Sequence, residues 1–172
     1  MPTTYNKIAT VTVGAGGASN IEFTSIPGTY TDLAIFVSGR YTGGGNQATL
    51  WISAINGSTS NLTNRWLRGS GSGTFSSTDA SGGIYVGQAN GSSSTSNTFT
   101  NVFIYIPNYT ASANKSISID AVQENNQTEA YMSITAGLWS NTAAITSITI
   151  DPDGANTFAQ YSSATLYGIK NS

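Results

Sequence analysis

Acid–base chemistry in this chain falls to carboxylates, because the sequence contains no histidine and no cysteine. Thiolate nucleophiles, disulfides and the usual zinc sites need those residues, and a serine triad would lack its base. Glu22, Asp120, Glu124, Glu129, Asp151 and Asp153 are available. A glycosidase needs two acids facing each other across a cleft, and nothing in this spacing places such a pair. The acids read as solvated strand ends and turns. Asp151-Pro152-Asp153-Gly154, followed by Asn156, has the opening of a calcium loop but not its closing glutamate or full ligand spacing. A Pro-Asp-Gly turn accounts for the same residues without a metal. Gly14-Ala15-Gly16-Gly17 opens no helix, and Gly43-Gly44-Gly45 lacks the Lys-Ser/Thr of a phosphate loop. The sequence therefore assigns no catalytic, metal or cofactor site, and the chain reads as a binding and assembling protein, not an enzyme.

Aromatic residues are the other candidates. Trp51, Trp66, Trp139 and nine tyrosines suit sugar stacking, but they suit a core or a subunit interface equally well. Trp51 and Trp139 sit in or beside apolar runs and are expected inside. Trp66 lies in Asn64-Arg65-Trp66-Leu67-Arg68, flanked by two cations. Arg65, Trp66 and Arg68 are therefore the candidate contact surface.

Charged residues make up 8% of the 172-residue chain, with a net charge of −2, against roughly 25% charged in an ordinary domain. Six scattered Lys and Arg cannot form the basic stripe that nucleic acid requires. No segment approaches the ~20 apolar residues that span a bilayer. The start, MPTTYNKIATVTV, shows no basic region followed by an apolar one, so no secretory signal is read there. The sequons at Asn56, Asn108 and Asn126-Gln127-Thr128 then read as products of an Asn/Ser/Thr-rich composition.

The elements that must position these residues are strands. Period-two runs recur at Ala9–Val13, Leu33–Ser38, Leu50–Ala54, Val102–Ile106, Ile117–Ala121, Met132–Leu138, Ile148–Ile150 and Leu166–Ile169. Turn chemistry divides them at Gly14–Gly17, Ile26-Pro27-Gly28, Asn56-Gly57 and Asp153-Gly154. Glu124–Glu129 reads as a hairpin loop. About nine or ten strands so spaced predict a single domain over 1–172, an all-β antiparallel two-sheet sandwich of the jelly-roll kind. Trp139–Ala144 carries a weak signal for one helical turn. Gly69–Ser77 and Gly91–Asn97 are polar, low-complexity stretches, expected to be flexible loops at one end of the sandwich. Phe36, Trp51, Ile55, Phe103 and Tyr105 give several strands a second apolar face. That face needs a cover, and a subunit interface is the simplest one.

Four stretches carry a family resemblance: IPGTYTDLAIFVSGR (Ile26 to Arg40), FIYIPNYTASANKSISIDAV (Phe103 to Val122), AGLWSNTAAITSITI (Ala136 to Ile150) and the closing SSATLYGIKNS. They resemble small virion structural proteins of tailed bacteriophages, notably those of cyanobacteria and marine bacteria, over nearly the whole chain. The resemblance implies a structural, oligomeric role in the particle. It implies a capsid decoration or cement protein on the capsid surface, made in the host cytoplasm, with itself and the major capsid protein as partners. A homotrimer follows from the local threefold positions of capsid lattices. The alternative placement is a tail-fibre or tail-tip module that binds receptor carbohydrate. A fibre more often shows a coiled-coil stalk or repeats, and this chain has neither.

Overall fold

The computed structural model describes residues 4–79, 82–127 and 129–170, so Thr128 of the third sequon lies outside them. The described residues form twelve strands and no helix. In chain order they are β1 (Tyr5–Thr12), β2 (Ile21–Phe23), β3 (Asp32–Gly39), β4 (Gln47–Ile55), β5 (Leu62–Gly69), β6 (Thr74–Asp79), β7 (Ile84–Asn90), β8 (Thr100–Ile106), β9 (Lys115–Gln123), β10 (Tyr131–Trp139), β11 (Ile148–Pro152) and β12 (Ser163–Ile169). All the strand pairs are antiparallel.

Two sheets result, an eight-stranded one ordered β1-β12-β3-β8-β9-β10-β5-β6 and a four-stranded one ordered β2-β11-β4-β7. The chain crosses between them along β1, β2, β3, β4 and again along β7, β8, β11, β12. Setting aside β5–β6 and β9–β10, each sheet keeps four strands in the order of a jelly roll. The two extra hairpins add to one edge of the larger sheet, where β10 and β5 pair through eight residue partners from Met132↔Gly69 to Trp139↔Leu62.

The sandwich core is aliphatic. Leu33, Ile35, Val37, Leu50, Ile52, Ile104, Ile148 and Ile150 are all 1% exposed or less. Ile55, expected on the opposite face from Leu50 and Ile52, is also fully buried. The register slips between Thr149 and Ile150, which face Ala54 and Ile52, so Ser53 is an extra residue in β4. That bulge reverses the side-chain parity and turns Ile55 inward.

β7 lies at the edge of the small sheet, yet every one of its residues is buried. Four consecutive strands of the large sheet, β8, β9, β10 and β5, approach it. Flat sheets stacked ~10 Å apart would keep the outer two of these away. The large sheet therefore wraps around β7, concave inside and convex outside, and leaves no open edge there.

Both stretches read as flexible loops are ordered. Thr74–Ser77 belongs to β6, whose backbone pairs with β5 from Gly69↔Thr74 to Asn64↔Asp79. Gly91–Asn97 is tied down from two sides. Arg40 Nη1 donates to the carbonyls of Thr95 and Thr98 at 3.0 Å each, and Ser93 and Ser94 donate to the carbonyls of Gly44 and Asn46 at 2.6 Å. Asn125 Nδ2 reaches Asn90 Oδ1 at 3.1 Å and so joins the β9–β10 loop to the same end. Composition alone hid this, because the ordering comes from partners distant in sequence. No helical turn forms at 139–144: Trp139 closes β10, and Asn56 Nδ2 holds the carbonyl of Ala144 at 2.8 Å.

Candidate functional site: an uncovered sheet face

Strand alternation separates the three residues expected to form a contact surface. Arg65 pairs with Ala136 and is exposed on the outer face of the large sheet. Trp66 and Arg68 turn inward. The Trp66 ring stacks on Tyr85 with centroids 5.0 Å apart, and its Nε1 donates to Asp79 Oδ2 at 2.8 Å. The Arg68 guanidinium lies 4.7 Å from the Tyr131 ring centre and 5.2 Å from those of Trp66 and Phe75. Turning the Gln88 amide oxygen toward it gives both amide atoms partners, with Arg68 Nη1 donating at 3.1 Å. Such contacts lock the β5–β6 hairpin onto β7. Trp139 is buried as expected, while Trp51 is half-buried edge-on to Tyr85.

Most of the candidate acids have local structural bonds. Glu124 Oε1 accepts from the backbone N–H groups of Asn125 and Asn126, and Glu129 Oε2 accepts from the Tyr131 hydroxyl at 3.2 Å. Asp151 bonds Ser53, although burial raises its carboxyl above the usual aspartate range. Asn156 Nδ2 donates to the carbonyl of Asp153 at 2.9 Å, closing the turn. Among the described residues, no three His, Cys, Asp or Glu side chains cluster as metal ligands would. Asp120 is different: it stands exposed on the outer face, opposite Phe103 on one side and Ile134 on the other.

That outer face is the unusual surface. Nine large apolar side chains are well exposed among the described residues, and seven of them lie on it: Tyr5, Phe36, Leu67, Val122, Met132, Ile134 and Leu138. One half, over β1, β12, β3 and β8, is aromatic. Phe36 meets Phe103 at 5.0 Å and Tyr167 at 5.8 Å, and Tyr167 meets Tyr5 at 6.0 Å. The other half, over β9, β10 and β5, is aliphatic. Two grooves of about 400 Å³ each share Gly69, Val122 and Met132 there.

β10 shows the reversal most clearly. Its apolar series faces water, with Met132 65% and Ile134 61% exposed, while Ser133 and Thr135 are buried beneath. The Thr135 hydroxyl has no hydrogen-bond partner. Trp139 and Tyr131, both pointing inward, set that register from the two ends of the strand. A one-residue slip would bury the aliphatic set but expose both aromatics. Covering what remains exposed would gain roughly 1–2 kcal/mol each at Met132 and Ile134 and about 0.5–1 kcal/mol at Leu138.

Comparison with protein-family models and with curated proteins finds no match. What the chain does is therefore read from its surfaces.

The titratable groups allow one pH expectation. Burial raises the Tyr41 and Tyr109 phenols, and the hydrogen bond to Asp32 raises that of Tyr105. A raised phenol means that the unfolded chain loses its proton first. The stability contributed by these groups is then complete below about pH 10 and is lost as pH climbs toward the raised folded values. With no histidine in the chain, the melting temperature is expected to be level from roughly pH 6 to 9 and to fall above that. An equal melting temperature at pH 8 and about pH 11 would refute this.

Proposed function

We propose that this chain is a virion structural protein, a capsid decoration or cement protein that assembles with itself and clamps onto a shell of major capsid protein. The observation that carries the reading is the reversed burial of β10: an apolar series is held outward over a buried polar one. Burying Trp139 and Tyr131 fixes the register, and a protein cover would offset the exposure of Met132, Ile134 and Leu138 that this leaves. Two further features support it. Few charges oppose the packing of like against like, and four stretches resemble virion proteins of tailed phages. Half of the six cations are engaged within the chain, since Arg40, Arg68 and Lys115 hold loops and rings, and Lys115 is fully buried. A homotrimer is the closed form that matches local threefold positions of a shell.

The test is binding to purified phage shells. Protein of this sequence is expected to co-sediment with expanded capsids and to raise their resistance to heat or low salt. Adsorption to host cells, with competition against infection and no shell binding, would instead favour a carbohydrate-binding module of the tail.

A further inference from the structure

We propose that the free edge of β6 is a pairing edge: the β6 strands of two copies join antiparallel about a two-fold axis at Ser76, merging their large sheets. This rests on the self-assembling role proposed above and adds the contact. A two-fold contact joins copies in pairs and leaves the outer face to other contacts, a threefold one included. The two open sheets of the sandwich have four edges, and three of them are guarded against a further strand. β2 is three residues long. β7 is enclosed by the large sheet. β1 carries Lys7 and a bulge between Lys7 and Ala9. Short strands, cover, lysine and bulges are the devices by which sheets avoid adding a strand. β6 has none of them. Thr74-Phe75-Ser76-Ser77-Thr78 contains no lysine, arginine or proline, all of it is exposed, and its ladder to β5 runs without a bulge.

The register fixes which backbone groups are free. Ser70 N–H donates to the Gly73 carbonyl at 2.9 Å, and hydrogen-bonded pairs alternate along an antiparallel ladder. Phe75, Ser77 and Asp79 therefore bond β5, while Thr74, Ser76 and Thr78 point their N–H and C=O groups off the sheet. A two-fold axis at Ser76 sets Thr74 against Thr78 of the second copy and Ser76 against its own equivalent, each pair exchanging both bonds. The side chains fit that register. Threonine faces threonine and serine faces serine, pairs that support a ladder. Asp79 is the strand's one charge; it faces Gly73 of the second copy, and the two aspartates stand at opposite ends. Phe75 is exposed although it lies off the outer face, and here it gains a diagonal aromatic neighbour in its own equivalent. Pairing with β1 of another copy would instead meet the bulge and Lys7.

Ser76→Pro and Ser76→Lys test this. Proline removes an N–H that faces solvent in the single copy, a position at which edge strands accept it. Lysine sets two ammonium groups opposite each other across the axis. Light scattering at micromolar concentration reads the mass, and circular dichroism confirms that each variant is folded. Wild type and Ser76→Thr are expected at an even multiple of the 17.8 kDa chain, and the proline and lysine variants at half the wild-type mass. Hydrogen exchange at the Thr74, Ser76 and Thr78 amides of the wild type is expected to slow as concentration rises. Three results overturn the β6 contact and leave the self-assembling role standing: an odd multiple above one, variants that keep the wild-type mass, or an assembly in which those amides exchange freely. A wild type at 17.8 kDa overturns both. The lysine variant decides if proline unfolds the chain.

Discussion

Gly87→Ala is expected to destabilise the fold by about 3–5 kcal/mol, combining backbone strain with overpacking. Gly87 holds φ +146°, a conformation that side chains rarely adopt. A Cβ there would also lie 2.6 Å from the Ala121 side chain of β9. Neither neighbour has slack. Gly87 belongs to the wholly buried β7, beside a register shift against β4, and Ala121 sits in the middle of the sheet that wraps it. Relief requires the two sheets to part at this contact. Urea unfolding measures the effect, and a loss below about 1 kcal/mol would show that the close approach is softer than its geometry implies.

Lys115→Met is expected to cost about 2–4 kcal/mol, for the opposite reason: it removes donors instead of adding bulk. Lys115 is 1% exposed, and its ammonium donates to the carbonyls of Ala111, Ala113 and Asn141, with the Trp139 ring centre 5.9 Å away. Methionine restores the volume but donates to none of them; the Ala111 carbonyl keeps the Ala113 N–H at 2.8 Å, and a hydrogen bond to a charged group contributes about 1.5–3 kcal/mol. Removing the ammonium also removes the cost of burying a charge, which sets the upper end of the range. Burial lowers the Lys115 pKa. Its desolvation cost is thus complete below the folded value and fades as pH rises toward the unfolded value of about 10.4. The gap between wild type and variant is expected to widen across that alkaline window in paired melting curves. A variant as stable as wild type at pH 7 would contradict the role given to the ammonium.

The fold was largely legible in the sequence, and its exceptions have local causes. Period two in Ile117–Ala121 and Met132–Leu138 identifies strands and shows which residues share a face, but it does not say which face is inside. For β9 the aliphatic set points inward, and for β10 it points outward. Trp139 and Tyr131 decide the second case through contacts that no local pattern contains. β6 escaped notice because Thr-Phe-Ser-Ser-Thr-Asp has the composition of a loop and becomes a strand by pairing with β5. The expectation of a second apolar face rested on Phe36, Trp51, Ile55, Phe103 and Tyr105; Phe36, Phe103 and Tyr105 do lie on the outer face, whereas Ile55 is buried and Trp51 is half-buried in the small sheet. It missed Leu67, Val122, Met132, Ile134 and Leu138, which together make the larger part of the exposed apolar area. Trp66 and Arg68 attracted attention through their types, and they are fixed inside by Tyr85, Asp79 and Tyr131.

The position of β12 between β1 and β3 has a consequence for synthesis. Both neighbours leave the ribosome well before the strand that joins them, since β1 and β12 pair across more than a hundred residues. Until that strand arrives, β3 presents an unpaired edge rich in Leu, Ile, Phe and Val. Long-range closure of this kind is slow, and the waiting edge is open to the same strand of another nascent chain. Translation of neighbouring copies on one message brings such edges close together, so shielding β3 during that interval would raise the yield of folded protein.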